Sequence, residues 1–148
     1  MVNQSSADIQ ERFRNYVLPG APHFVSEATY VAARDTYLPA LRRAYQEYFA
    51  KTGVASIVFP ATMVPATLIG QDDVDIRGKK VTFMPATRRN ISPGSTAGVP
   101  GLVLPAGLTT AGLPVGIEFD APARADRDLL ALGLNLQRVL GPIPPPNI

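Results

Sequence analysis

The chain has 148 residues, of which 46% are hydrophobic and 18% are charged, so it is long enough for one folded domain with a core. Fourteen basic residues against twelve acidic ones give a net charge of +2, and the basic pairs are scattered without interleaved aromatic residues. This pattern argues against a nucleic-acid surface. The absence of cysteine excludes disulfides, thiolate metal sites and a cysteine nucleophile.

The first third of the chain is predicted to be helical. A first helix spans residues 5–17, where apolar side chains recur at helical spacing. A second begins at Ser26, a residue type that caps helices. A third contains Pro39 in its first turn, where a proline has no N–H bond to lose, and ends at Gly53.

The pattern then changes to short apolar runs typical of buried strands. The runs are residues 55–59, 102–104 and 114–119, with a short extended piece at 81–84. The turn at residues 109–112 is expected to join the last two strands as an antiparallel hairpin. Residues 60–78 are predicted to be a long connection rich in proline and acid.

A closing helix is predicted from Asp126 to Leu140, with acidic residues in its first turn and Arg138 in its last turn, as the helix dipole favours. We expect a single domain with an α/β or α+β architecture. It consists of a helical segment (1–53), a strand and loop segment (54–122), a closing-helix segment (123–141) and a proline-rich tail (142–148). Three to four short strands would form a small mixed sheet packed by about four helices. Apolar residues on both strand faces also suit strands taken from a larger sheet.

Candidate catalytic groups are few. His23, the only histidine, stands in a proline-rich turn without a carboxylate placed by spacing, so we expect a partly exposed loop histidine. Asp72, Asp73 and Asp75 match a calcium loop poorly because Arg77 occupies a liganding position, and a solvated acidic turn is expected. Ser95 lies in a glycine-rich segment that does not match the G-x-S-x-G elbow of hydrolases.

Several motifs in order resemble the C-terminal signature of the amidase-signature family. The segment RNISPGSTAGVPGLVLPAG, from Arg89 to Gly107, carries the family's G-x-P-x-x-x-x-P-x-G pattern. GLPVGIE follows at Gly112, and Asp126, Leu129 and Leu130 match a D-x-x-L-L closing helix. Upstream, residues 30–43 and 54–62 resemble the helices and strand that precede the signature. The arginine–asparagine form of the signature is most similar to the branch that hydrolyses arylacetamides, such as mandelamide and indoleacetamide hydrolases.

The resemblance implies an amide hydrolase with a serine–cis-serine–lysine triad and an α/β fold of the amidase-signature type. The triad and its glycine-rich oxyanion loop lie in the first half of family chains, so no catalytic residue, cofactor or metal ligand is expected here. The resemblance implies that the loop before G-x-P walls the substrate pocket. The residues carried over as substrate-binding candidates are Phe83, Met84, Thr87, Ile91, Ser92 and Ser95.

The expected function is therefore that of the C-terminal part of an arylacetamide-type amidase, inactive alone. The alternative is a non-catalytic assembly module derived from an amidase, because uncovered apolar strands drive association. The expected partners are a second copy or an amidase N-terminal half, and neither a nucleic acid nor a membrane. With no signal peptide evident in the sequence, a cytoplasmic location is expected.

Overall fold

A computed structural model describes residues 4–144 of the chain. Two compact units are distinguishable, Met1–Ala40 and Leu41–Ile148. The end of the predicted proline-rich tail, residues 145–148, lies outside the described part. Each unit is described by itself below.

The first unit contains two short helices with π-helical ends. Helix α1 (Ala7–Arg12) continues into a π-helical turn at Phe13–Val17. Helix α2 (Glu27–Ala32) continues in the same way into Ala33–Tyr37. Ser26 caps α2, since the backbone N–H of Thr29 donates to its Oγ at 3.2 Å. Both predicted helices are confirmed, although none of their residues is buried.

Helix α3 (Leu38–Thr52) leads into the second unit, as predicted. It ends at Gly53, whose φ of 66° lies in the left-handed region that favours glycine at a helix C-terminus. The Gly53 N–H donates to the Phe49 carbonyl at 2.9 Å and closes the last turn. Phe49 is the buried residue of the helix and stacks edge-on against Tyr48.

A three-stranded antiparallel sheet organises the second unit. Its strands are β1 (Ile57–Pro60), β4 (Gly101–Leu108) and β5 (Pro114–Asp120), in the order β1-β5-β4. The predicted hairpin is confirmed, because β4 and β5 are adjacent and antiparallel. Pro60 and Pro105 lie on the two outer strands and Pro114 is the first residue of the central strand, positions where a missing N–H costs least.

A separate two-stranded hairpin lies in the region predicted to be a connection. Strands β2 (Asp73–Ile76) and β3 (Lys79–Thr82) pair antiparallel through the two-residue turn Arg77-Gly78. The φ values of 54° and 79° at these residues are those of a type I′ turn, the turn that matches the twist of paired strands. The aspartates suggested a solvated turn, but every second residue is apolar and Val74 is buried.

Helix α4 (Phe83–Ala97) replaces what the sequence analysis predicted to be an extended piece and a loop. The extended piece ends at Thr82, and the helix begins at the next residue. Two prolines obscured this helix. Pro85 lies in the first turn, where backbone N–H groups have no helical partner anyway, whereas Pro93 lies inside the helix. Gly98, with a φ of 76°, ends the helix by donating to the Gly94 carbonyl at 3.0 Å.

Helix α5 (Asp126–Leu140) confirms the predicted closing helix and covers one face of the sheet. The core between them is built from Leu104, Phe119, Ala121 and Leu129. Gly133 of α5 lies directly over Leu102, so that an added Cβ would collide with the end of that side chain. The absence of a side chain at Gly133 therefore allows α5 to pack closely against β4.

The predicted fold class is confirmed, since helices and small sheets alternate along the chain. The strands form two sheets and pair antiparallel throughout the described residues, where the sequence suggested one mixed sheet. No helix among residues 4–144 is long and apolar enough to cross a bilayer.

Candidate functional site

The six predicted substrate-binding residues all lie on α4. At about 100° of rotation per residue, they cover roughly one half of the helix circumference. Phe83, Thr87 and Ile91 are half-buried, and the other three are exposed. The buried stripe of the helix, formed by Ala86, Gly94 and Ala97, adjoins the half-buried edge of this face at Phe83 and Thr87. The six residues therefore share one face of a single helix rather than a loop, and their role in binding stays a prediction.

Neither serine of this face is paired with a base. Ser92 and Ser95 are both exposed, and no side-chain hydrogen bond to either is present among residues 4–144. Lys79 and Lys80 are exposed residues of β3, and Lys51 is exposed near the end of α3. A serine activated by a lysine requires the two groups in hydrogen-bond contact. The second unit therefore contains a candidate substrate wall but no assembled nucleophile among its described residues.

The single histidine belongs to the first unit. His23 is exposed, and its ring stacks on that of Tyr16 with 4.9 Å between the ring centroids. Its backbone N–H donates to the Asn15 carbonyl at 2.9 Å. This agrees with the exposed loop histidine that the sequence predicted, and no carboxylate hydrogen-bonds its ring among residues 4–144.

The sequence analysis did not identify two buried carboxyl groups on the central strand. Glu118 is 7% exposed and Asp120 is 1% exposed. Residues two apart on a strand point to the same face, and both lie opposite the α5 core. The signal in the sequence that could have identified them was a pair of acidic residues two positions apart within an otherwise apolar strand. The phenol of Tyr45 in α3 reaches Asp120 Oδ2 at a long 3.4 Å.

Two glycines make room for these carboxyl groups. A Cβ added to Gly94 of α4 would lie 2.9 Å from Asp120 Cγ, and one added to Gly101 would lie 2.9 Å from Glu118 Oε1. The same Gly101 position is 3.1 Å from Asp120 Oδ1. Because both acids border one glycine, they occupy one small polar space between the sheet and α4. Glu118 Oε2 is buried there without a hydrogen-bond partner among the described residues.

The electrostatics of this polar space favour protonated acids. Burial raises the pKa of Glu118, and the nearby Asp120 raises it further. Burial also raises the pKa of Asp120, although the hydrogen bond from Tyr45 acts in the opposite direction. The pKa of Tyr45 is raised to about 12, chiefly by burial and then by the charge of Asp120. Burial in this space therefore disfavours the charged form of both carboxyl groups.

A cavity of about 610 Å³ opens beside this polar space, within the second unit. Its walls come from α3, from the residues that end α4, and from the loop between β5 and α5. Arg42, Tyr45 and Phe49 line one side, and Val99 and Arg124 line the other. The Arg42 Nε donates to the Ala97 carbonyl at 3.0 Å, which satisfies a carbonyl at the end of α4. None of the six predicted substrate-binding residues lines this cavity.

A metal centre is not assembled in the described part of the chain. No group of three or more histidine, cysteine, aspartate or glutamate side chains is close enough to hold an ion among residues 4–144. The aspartates of the β2–β3 hairpin are instead used locally: Asp75 Oδ1 accepts the Gly78 N–H at 2.8 Å. This bond stabilises the tight turn.

Comparisons of the sequence and of the structure with known proteins point to the same family. The Amidase family profile matches residues 6–130. An indoleacetamide hydrolase from Agrobacterium vitis is 42% identical over 119 residues, which are 80% of this chain and 26% of that protein. A mandelamide hydrolase from Pseudomonas putida is 31% identical over 97% of this chain and 29% of its own length. A solved structure described as an amidase superposes with a TM-score of 0.63 at 27% identity, covering 91% of this chain and 32% of that one.

The protein is thus a mixed α/β chain with the fold of amidase-signature enzymes. It belongs to the Amidase family. The chain spans about a quarter of the length of the curated relatives that it matches.

Proposed function

We propose that this chain forms the C-terminal part of an amide hydrolase that acts on an arylacetamide-type substrate. The observation that carries the proposal is the 42% identity to an indoleacetamide hydrolase over 119 residues, which are 80% of this chain. Within that enzyme, the chain would supply one wall of the substrate pocket and three strands of the sheet.

The exposed face of α4 would form the pocket wall. It presents Phe83, Met84 and Ile91 as apolar surface, and Thr87, Ser92 and Ser95 as hydroxyl groups. A largely apolar wall with a few polar groups suits an aryl substrate. The helix is fixed from behind, because Asn90 Nδ2 donates to the Pro60 carbonyl of β1 at 2.8 Å.

The reacting groups would come from polypeptide outside this chain. Amide cleavage of the type that the family resemblance implies needs a deprotonated lysine beside two serines, and no lysine approaches Ser92 or Ser95 among the described residues. The isolated 148-residue chain is therefore expected not to turn over an amide.

The test is a complementation assay with indoleacetamide and ammonia detection. The chain is assayed alone, and then after co-production with the N-terminal three quarters of the Agrobacterium vitis hydrolase. The proposal expects ammonia only from the pair, with Ile91→Asp in this chain reducing turnover. Arg89→Gln, an exposed position outside that half of the helix, is the control and should leave turnover unchanged. Sustained turnover by the chain alone that Ser95→Ala abolishes would overturn it.

The second candidate function is that of a non-catalytic assembly module. Apolar side chains are exposed on both sides of the sheet: Val58 is 59% exposed and Val103 is 53% exposed. The outer edges of β1 and β4 have no strand partner among residues 4–144. Exposed apolar strands of this kind drive association, through a second copy or an amidase N-terminal half. Sedimentation of a stable monomer at high concentration would count against this candidate.

A further inference from the structure

The cavity beside the buried carboxyl groups has an unusual charge balance. Two guanidinium groups, those of Arg42 and Arg124, line it, whereas no carboxylate does. The bond to the Ala97 carbonyl uses only Nε of Arg42, so its two terminal nitrogens remain available. Arg124 is exposed. Its side chain forms no hydrogen bond or ion pair with any of residues 4–144.

The remaining walls are apolar and aromatic. Phe49 is 7% exposed, and its ring lies 6.4 Å from that of Tyr45, measured between centroids. Val99 and Pro122 continue this surface on the opposite side. The cavity volume of about 610 Å³ is in the range typical of small-molecule sites, roughly 300–1,000 Å³.

The buried acids do not neutralise the two arginines. Neither Asp120 nor Glu118 lines the cavity, and neither forms an ion pair with an arginine among the described residues. Gln46 also lines the cavity and can donate from its amide. A ligand in the cavity would therefore meet Arg42 beside the two aromatic rings of α3 and Arg124 on the opposite side.

We propose that this cavity binds a small aromatic monocarboxylate, with its carboxylate held by Arg42 and Arg124 and its ring against Tyr45 and Phe49. Guanidinium groups pair with carboxylates through parallel hydrogen bonds, and the apolar ring would displace water from the aromatic wall. An arylacetate is such a ligand, and it is also the acid released when an arylacetamide is hydrolysed. That link to the reaction rests on the proposed function, whereas binding to the cavity does not. The cavity is distinct from the substrate face of α4, so the acid would act away from the reacting bond.

The test is calorimetric titration of the full 148-residue chain with phenylacetate, and with phenylacetamide and acetate as matched probes. Phenylacetamide keeps the ring without the charge, and acetate keeps the charge without the ring. The proposal expects phenylacetate to bind at least about tenfold more tightly than either probe, because each probe lacks either the charge or the ring. Equal affinity for phenylacetate and phenylacetamide, or no binding at millimolar concentration, would overturn it.

Arginine variants locate the site. Arg124→Gln removes a cation that holds no structural hydrogen bond, and is expected to weaken phenylacetate binding about tenfold while the unfolding midpoint stays unchanged. Arg43→Gln, one residue from Arg42 but outside the cavity wall, is the matched control and should bind as the original chain does. Unchanged binding in Arg124→Gln would refute the assignment even if phenylacetate binds elsewhere on the chain. Because no amidase activity is measured, a failure here is distinguishable from a failure of the proposed function.

Discussion

Replacing Gly94 by alanine sets two opposing effects against each other at the contact between α4 and the sheet. Alanine in a helix interior is more favourable than glycine by about 1 kcal/mol. The added Cβ would, however, lie 2.9 Å from Asp120 Cγ and 3.0 Å from its Oδ1, closer than ordinary van der Waals contact. Asp120 is 1% exposed, so its side chain has little room to move away.

Overpacking of this kind costs about 1–3 kcal/mol, and here it also disturbs the packing of a buried carboxyl group. We therefore expect Gly94→Ala to lower the free energy of unfolding by up to about 2 kcal/mol despite its better helix propensity. Urea unfolding followed by circular dichroism measures this change. Ser95→Ala is the matched control: it alters the next residue on the exposed face and should leave stability equal or slightly higher.

A double-mutant cycle identifies the cause. When Asp120→Ala removes the carboxyl group, the alanine at position 94 has space, and adding it should then be neutral or stabilising. If Gly94→Ala alone raises stability by about 1 kcal/mol, helix propensity is the only effect present and the packing of α4 against Asp120 is refuted.

Three further predictions concern the core, the buried acids and a turn. Leu129→Ala is expected to cost about 2–5 kcal/mol in urea unfolding because Leu129 is 4% exposed in the α5 core, whereas the adjacent Leu130→Ala, at 59% exposed, should cost under about 0.5 kcal/mol. Glu118 and Asp120 have raised pKa values in the folded state, so the folded chain binds protons more tightly than the unfolded one, and stability should fall as the pH rises above the ordinary carboxyl range. The double variant Glu118→Gln with Asp120→Asn should flatten this decline. Urea midpoints measured from pH 4 to pH 8 test this, and an equal decline in both proteins would contradict the assignment. Arg77→Asn should raise the thermal midpoint, since asparagine tolerates the φ of 54° in a type I′ turn better than arginine, and an unchanged midpoint would argue against that turn.

The elements with a clear local signal were predicted correctly. Ser26 and Gly53 mark helix ends because capping and left-handed φ depend on only a few neighbouring residues. The β4–β5 hairpin was predicted because two apolar runs are separated by a short turn. Helix α4 was missed because its prolines and glycines resemble a loop locally, and only packing of Gly94 against the sheet makes a helix there favourable.

The candidate site, like the fold, was predicted only in part from the sequence. The resemblance in sequence order supplied the family, which the comparisons confirm, and the six α4 residues, which remain predictions. It supplied neither the buried acids nor the cavity. Glu118 and Asp120 are ordinary surface residue types, and their environment depends on Tyr45 in α3 and Gly94 in α4, which are distant in the chain.

Residue identity and neighbours within one element were enough to predict the family, most of the helices, the hairpin and the absence of cysteine chemistry. Three features depend on contacts between elements: the signature segment is a helix, two carboxyl groups are buried against it, and Arg42 and Arg124 line one cavity. These features arise from contacts between elements up to 75 residues apart, as between Tyr45 and Asp120, and such contacts leave no pattern in the spacing of a single sequence.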